Sequence, residues 1–257
     1  MTEAPIRTER LGHILVITID RPEVRNAIDA ASARALSDAL DRVDADPAIF
    51  VAILTGAGGW FSAGADLKAA AAAGGDSGAR TERGPMGMCR RPPDKPLIAA
   101  VEGGAVGGGF EMVLACDLVV AAGDAVMGLP EVRRNLVAMG GGLLRLPRRL
   151  PANIAAEIAL SGGLFPASFL HQHGLVNRLA PPGAALAEAV KLAEALLANG
   201  PTALAATAAI LRRAAEWTGE EGWALQRQLA ETALRAEDRE EGRTAFLEKR
   251  KPVWKGK

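Results

Sequence analysis

The 257-residue sequence has no tyrosine, only two cysteines and three histidines, and just 4% aromatic residues. Without tyrosine there is no phenol hydroxyl to act as an acid or to line a pocket. Cys89 and Cys116 fit neither a disulfide framework nor a C-x-x-C metal pattern, so they read as buried thiols in a reducing, cytoplasmic setting. His171 and His173 are two residues apart on a predicted helix and face different sides of it, while His13 falls in a strand, so no metal site is expected. Neither charge sign is in excess. With 30 basic and 30 acidic residues, no overall field draws the chain to nucleic acid or an anionic membrane, and any anionic ligand must be held by local charges. The N-terminal "MTEAPIRTERLGHILVITID" contains too short an apolar run for a signal peptide or a membrane span.

What is present reads as alternating strands and helices. The β-branched run at 13–21, the run at 50–56 and the run at 95–104 read as strands, residues 30–46 as an amphipathic helix, and 118–132 as extended again. Residues 74–84, "GGDSGARTERG", read as a polar, mobile surface loop. From about residue 181 the pattern becomes all-helical, with a break at Gly200 and Pro201. Together these imply an α/β architecture with layered sheets, followed by a helical region.

The stretch "EGGAVGGGFEMVLACD" opens a helix with five glycines. No register of "GGAVGGG" satisfies G-x-G-x-x-G, and the only Gly-Lys pair ends the chain, so neither a dinucleotide fingerprint nor a P-loop is present. Ser62 in "WFSAG" misses the G-x-S-x-G elbow because Trp60 occupies the first glycine position, which disfavours a serine hydrolase. What remains is a backbone device. Free N–H groups at a glycine-rich helix start can hold an oxyanion, aided by the helix dipole. The turn in "FSAGADLK", running into a second predicted helix, supplies a matching N–H from Ala65. Glu111, in the first turn of the glycine helix, and Glu131, in "GLPEV", are candidates for acid and base. Each also has an ordinary reading, as a helix-start glutamate and an exposed loop charge.

Taken together, "RPEVRNAID", "GWFSAGADLK", "KPLIAAVEGGAVGGGFEMVLACDLVVA", "MGLPEV", "GLVNRL" and "FLEKRKPVWKGK" closely resemble the enoyl-CoA hydratase/isomerase (crotonase) family, collinearly and over nearly the whole chain. The resemblance implies a crotonase-like spiral of ββα units with the acyl-CoA site over residues 1–195. It implies a helical oligomerisation region over 196–257 that packs subunits into a homotrimer or a hexamer made of two trimers. It also implies an enoyl-CoA hydratase, a hydro-lyase that adds water to a trans-2-enoyl-CoA of the fatty-acid breakdown type. The Ala65 and Gly108 amides match the family's oxyanion hole, Glu111 the carboxylate that handles water, and Glu131 the one that exchanges the α-carbon proton. Arg25 and Lys68 match positions near the CoA phosphates, and Ala63, Asp66 and Leu67 line the pantetheine and adenine path. Phe246 and Lys249 match residues that reach a neighbouring subunit's CoA. No metal or separate cofactor is implied, since coenzyme A is part of the substrate, and neither nucleic acid nor membrane is an expected partner.

This chain departs from the family pattern after the second glutamate. Where many hydratases have "GLIPGAGGTQRLPR", it has "NLVAMGGGLLRLPR", a variant similar to the carnitinyl-CoA dehydratase-like branch. A Δ3,Δ2-enoyl-CoA isomerase using Glu131 alone, a dehydratase of that branch and a non-catalytic acyl-CoA-binding paralogue stand as alternatives.

Overall fold

The structure is a computed structural model that describes residues 4–72, 74 and 78–257. In chain order its strands are β1 (Ile6–Leu11), β2 (Ile14–Ile19), β3 (Val51–Gly56), β4 (Arg80–Thr81), β5 (Gly84–Pro85), β6 (Leu97–Val101), β7 (Gly104–Val106), β8 (Leu118–Ala122), β9 (Val126–Gly128), β10 (Phe165–Pro166) and β11 (Arg178–Ala180). Its helices are α1 (Ala30–Ala45), α2 (Leu67–Ala72), α3 (Gly108–Ala115), α4 (Gly142–Arg149), α5 (Ala152–Ser161), α6 (Ala167–Gln172), α7 (Ala185–Leu197), α8 (Pro201–Arg213), α9 (Gly219–Arg235) and α10 (Glu237–Glu248).

A six-stranded sheet runs β1-β2-β3-β6-β8-β11, antiparallel only between β1 and β2. Strands β3 and β6 are apolar almost throughout, as strands covered on both faces must be. One face carries α1, whose Leu36, Leu40 and Val43 are fully buried, and the other carries α7, whose Ala185, Ala189 and Ala193 pack on Val51, Ile53 and Ile98. Asp29 caps α1 by accepting the Ser32 amide at 2.8 Å, a contact worth about 1 kcal/mol. A smaller sheet, β10-β9-β7, lies beyond the C-terminal end of β6 and builds the site.

Several sequence expectations need correction. The 118–132 segment is not continuously extended: it forms β8, turns, forms β9 and ends in a 3-10 turn (Pro130–Arg134), because Pro130 fixes φ at a helical first position. His13 lies in the turn between β1 and β2, stacked on Phe50 at 4.1 Å, and His173 caps α6. Of the loop expected at 74–84, residues 75–77 lie outside the described residues. The rest is tied down: β4 and β5 form a ribbon, and the buried Arg83 guanidinium binds Asp41 at 2.6 Å and Asp44 at 2.5 Å on α1. A polar sequence reads as loop, but paired charges from a neighbouring helix fix it. The boundary expected between 195 and 196 falls inside α7, and the chain breaks before α8 at Pro201. Among the described residues, no single helix is long and apolar enough to cross a membrane.

Candidate active site

Two parallel pairings assemble the site. Strands β7 and β9 run in register, Gly104 against Val126 and Val106 against Gly128, so their C-terminal ends emerge side by side. From β7 the chain enters α3, which carries Glu111. From β9 it enters the 3-10 turn, which carries Glu131. Ligands of α/β proteins bind at such carboxyl ends. The Ala65 turn is stitched to the same edge, with Ser62 donating to the Gly104 carbonyl at 3.2 Å and Val106 donating to the Ser62 carbonyl at 3.0 Å.

Close approach sets the glycines here. A methyl group on Gly109 would overlap the Ser62 carbonyl oxygen, and one on Gly64 would stand 2.7 Å from the Gly108 nitrogen. The Ala65 amide is turned towards Gly108 by its neighbours. Gly64 O accepts the Ile28 amide at 2.8 Å and Asp66 N–H donates to Ile28 O at 2.9 Å, so the Ala65 N–H points to the opposite side of the strand. Gly108 opens α3, where an N–H has no intrahelical acceptor. Neither amide has a hydrogen-bond acceptor among the described residues. A methyl on Gly108 would lie 3.4 Å from the Ala65 nitrogen, so the two unpaired donors face a common space. Met86, held in the left-handed region at φ 56°, places its sulfur 3.1 Å from that same methyl position.

The two carboxylates sit in different surroundings. Glu111 is buried, and its Oε1 accepts the Gly142 amide at 2.9 Å. Burial pushes its pKa up, opposed by the amides of Gly142 and Gly140 and by the Arg145 charge. Glu131 packs against the glycine turn before α3, its Oε1 3.0 Å from where a methyl on Gly107 would lie. Its Oε2 is buried without a hydrogen-bond partner among the described residues. Burial pushes this carboxyl up as well, with the Glu111 charge adding to the effect. Glu111 thus receives an amide hydrogen bond that the buried oxygen of Glu131 lacks, an asymmetry that suits one base and one acid.

Other expected site residues fall around this centre. Arg25, exposed and at φ 52°, stacks its guanidinium 5.2 Å over the Trp60 ring, and its carbonyl accepts the Ala63 amide at 2.9 Å. Leu67 and Lys68 are exposed at the start of α2. The Asp66 carboxylate is engaged within the chain, accepting the Ala69 amide at 3.0 Å and pairing with Arg21 at 3.1 Å. Phe246 and Lys249 are exposed at the end of α10, and among the described residues no hydrogen bond or ion pair joins them to the other site residues. Ser62 is fully buried, its hydroxyl donating to the Asn26 carbonyl at 2.8 Å and accepting the Gly64 amide at 3.1 Å. It is a structural pin with no place as a nucleophile. Both thiols are buried, and Cys116 is pushed up to about 12 by burial. Sequence reasoning missed Met86, Trp60 and the glycines of 140–142 as parts of the site. Only the last carried a signal, the triplet in "AMGGGLL".

A family model described as enoyl-CoA hydratase/isomerase matches residues 9–257. A mevalonyl-coenzyme A hydratase of Aspergillus fumigatus is 44% identical over 247 residues, covering 95% of this chain and 92% of the relative. A carnitinyl-CoA dehydratase of Salmonella typhi is 42% identical, covering 96% and 97%. The crystal structure of an enoyl-CoA hydratase of Mycobacterium marinum superposes with a TM-score of 0.95 at 50% identity, covering 99% of this chain and all of that one. With two facing amides beside a carboxylate pair, and with this match along almost its entire length, the chain belongs to the enoyl-CoA hydratase/isomerase family.

Proposed function

We propose that the chain is an enoyl-CoA hydratase, a hydro-lyase that adds water across the α,β double bond of a trans-2-enoyl-CoA to give a 3-hydroxyacyl-CoA. The observation that carries this reading is the pair of amides, Ala65 and Gly108, unpaired among the described residues and facing one space flanked by a buried and a half-buried carboxylate. The amides donate to the thioester oxygen and draw charge from the β-carbon as the enolate forms, a donor set worth about 10²–10³ in turnover per hydrogen bond. Glu111, the better-supported anion, takes a proton from water as its oxygen bonds to the β-carbon. Glu131 gives its proton to the α-carbon, and dehydration reverses both transfers. The chemistry is acid–base throughout and needs neither metal nor redox cofactor.

Arg25, braced on Trp60, and Lys68 hold the CoA phosphates, with Ala63, Asp66 and Leu67 along the pantetheine and adenine path. The assembly is a trimer or a pair of trimers. Helix α9 buries none of its residues within the chain, and Phe246 and Lys249 on the following helix are free to reach a neighbour's CoA. A cytoplasmic location fits the two unpaired thiols.

Crotonyl-CoA turnover, followed by loss of the conjugated thioester absorbance, tests the reading. Wild type is expected to hydrate it, and Glu111→Gln is expected to lower kcat by about 10²–10⁴. Unchanged hydration by Glu111→Gln would remove that residue from the mechanism and favour an isomerase. A second reading, dehydration of carnitinyl-CoA, is favoured by the 42% identity over 257 residues to the Salmonella enzyme. It predicts a gain of the same absorbance from carnitinyl-CoA at a higher kcat/KM than hydration of crotonyl-CoA.

A further inference from the structure

Arg145 stands in the first turn of α4, just after the glycine triplet 140–142, and its guanidinium reaches carbonyls from two parts of the site. Nη2 donates to Cys89 O at 2.5 Å and Nη1 to Gly140 O at 3.5 Å, while the Arg145 backbone amide donates to Gly141 O at 3.1 Å. The left-handed backbone at residue 141 calls for glycine. Gly141 has φ +93°, and a methyl there would overlap Nη1. On its other face the triplet wraps Glu111. A methyl on Gly140 would stand 2.5 Å from Oε2, one on Gly142 2.9 Å from Cγ, and the Gly142 amide holds Oε1. Cys89 closes the segment that carries Met86, the residue whose sulfur packs beside Gly108. One guanidinium therefore joins the turn that holds Glu111 to the segment that lies against the oxyanion amide.

We propose that Arg145 is a positioning residue for the reaction: it pins the 140–142 turn to the 84–89 segment, and so fixes Glu111 relative to the Ala65 and Gly108 amides. The inference rests on the hydratase reading of Glu111. Arg145 is also the fixed charge that the carboxylate meets. The charged and titratable groups around Glu111 and Arg145 are Cys89 on the 84–89 segment, Cys116 after α3, Glu131 on the 3-10 turn and Arg149 on α4. Both thiols are pushed up by burial and stay neutral, Glu131 is a like charge that opposes the Glu111 anion, and Arg149 is turned to the carbonyls of Val113, Leu114 and Cys116 at the end of α3. Arg145 is thus the positive charge that, after the Gly142 and Gly140 amides, opposes the cost of burying the Glu111 anion.

The test uses full-length Arg145→Met and Arg145→Lys with two readouts: steady-state hydration of crotonyl-CoA, and titration of the Glu111 carboxyl by 13C NMR, its resonance identified by its loss in Glu111→Gln. For Arg145→Met, kcat is expected to fall about 10–100-fold with KM changed less than about twofold, since a displacement near 1 Å at a reacting group costs that much. The Glu111 midpoint is expected to move upward. Arg145→Lys keeps the charge and loses the two-pronged bonding, so it restores the midpoint but recovers kcat only in part. A folded Arg145→Met with wild-type kcat and an unmoved midpoint overturns the proposal, as does a fall in kcat with the midpoint unmoved. If Arg145→Met does not fold, Arg145→Lys decides: wild-type kcat in that variant overturns the proposal. If wild type hydrates no enoyl-CoA, the functional reading fails on its own, while the midpoint, which needs no substrate, still decides the role of Arg145.

Discussion

At the scale of single residues, the contrast between Glu111 and Glu131 has consequences for both rate and stability. Folding raises both carboxyls above the unfolded value near about 4.3. The folded chain therefore keeps protons that the unfolded chain releases. Above that range the pair destabilises the fold, and below it the effect disappears. Glu131→Gln removes the buried, unpaired oxygen's charge and is expected to raise Tm at neutral pH by about 2–4 °C, a gain that fades as pH falls towards about 4. Calorimetry at a series of pH values checks this. In kinetics, the ascending limb of kcat/KM against pH, which reports Glu111 as base, is expected above the ordinary carboxylate range. Glu111, Glu131, Ala65 and Gly108 were legible as candidates because motif positions name residue types. The work of Arg145 was not, since an arginine in "RLPRR" reads as a solvated charge until the fold turns it inward.

At the scale of elements, the parallel pairing of β7 with β9 places the two carboxylates, and the α3 turn fits only because residue 109 has no side chain. In an ordinary helix, glycine to alanine stabilises by up to about 1 kcal/mol. Here the added methyl meets the Ser62 carbonyl, so Gly109→Ala is expected to destabilise by about 1–3 kcal/mol, read from the urea midpoint. The opposite sign would mean that the two turns are less tightly joined. Helix starts such as α1, with Asp29 as its cap, were visible in periodicity and capping chemistry. The 3-10 turn under Glu131 was not. An apolar run ending in Leu-Pro-Glu is compatible with strand continuation, and only the αL residue Asn135 and the packing of α5 close it into a turn.

At the scale of the whole molecule, the C-terminal helices present apolar surface with no cover in the chain: Trp223 is 69% exposed, Phe246 82% and Leu247 65%. The 17-residue α9 packs on α8 with a face that is only half-buried, which leaves its other side for a further packing partner. For the proposed trimer or pair of trimers, Trp223→Glu with Phe246→Asp is expected to shift the sedimenting species towards monomer while far-UV circular dichroism is retained. An unchanged sedimentation coefficient would place the subunit interface elsewhere.

The sequence by itself determined the alternation of strands and helices, the helical C-terminal region and the candidate residues, because periodicity, glycine placement and motif identity are local properties of the chain. Only the tertiary structure decided that the Ala65 and Gly108 amides face a common space with no acceptor among the described residues, that Glu111 is held by the 140–142 turn while Glu131 Oε2 has no hydrogen-bond partner among the described residues, and that Arg83 and Arg145 turn inward. Those facts depend on which segments meet across dozens of residues. The balance between the desolvation of a charge and the bonds it receives is fixed only when they do.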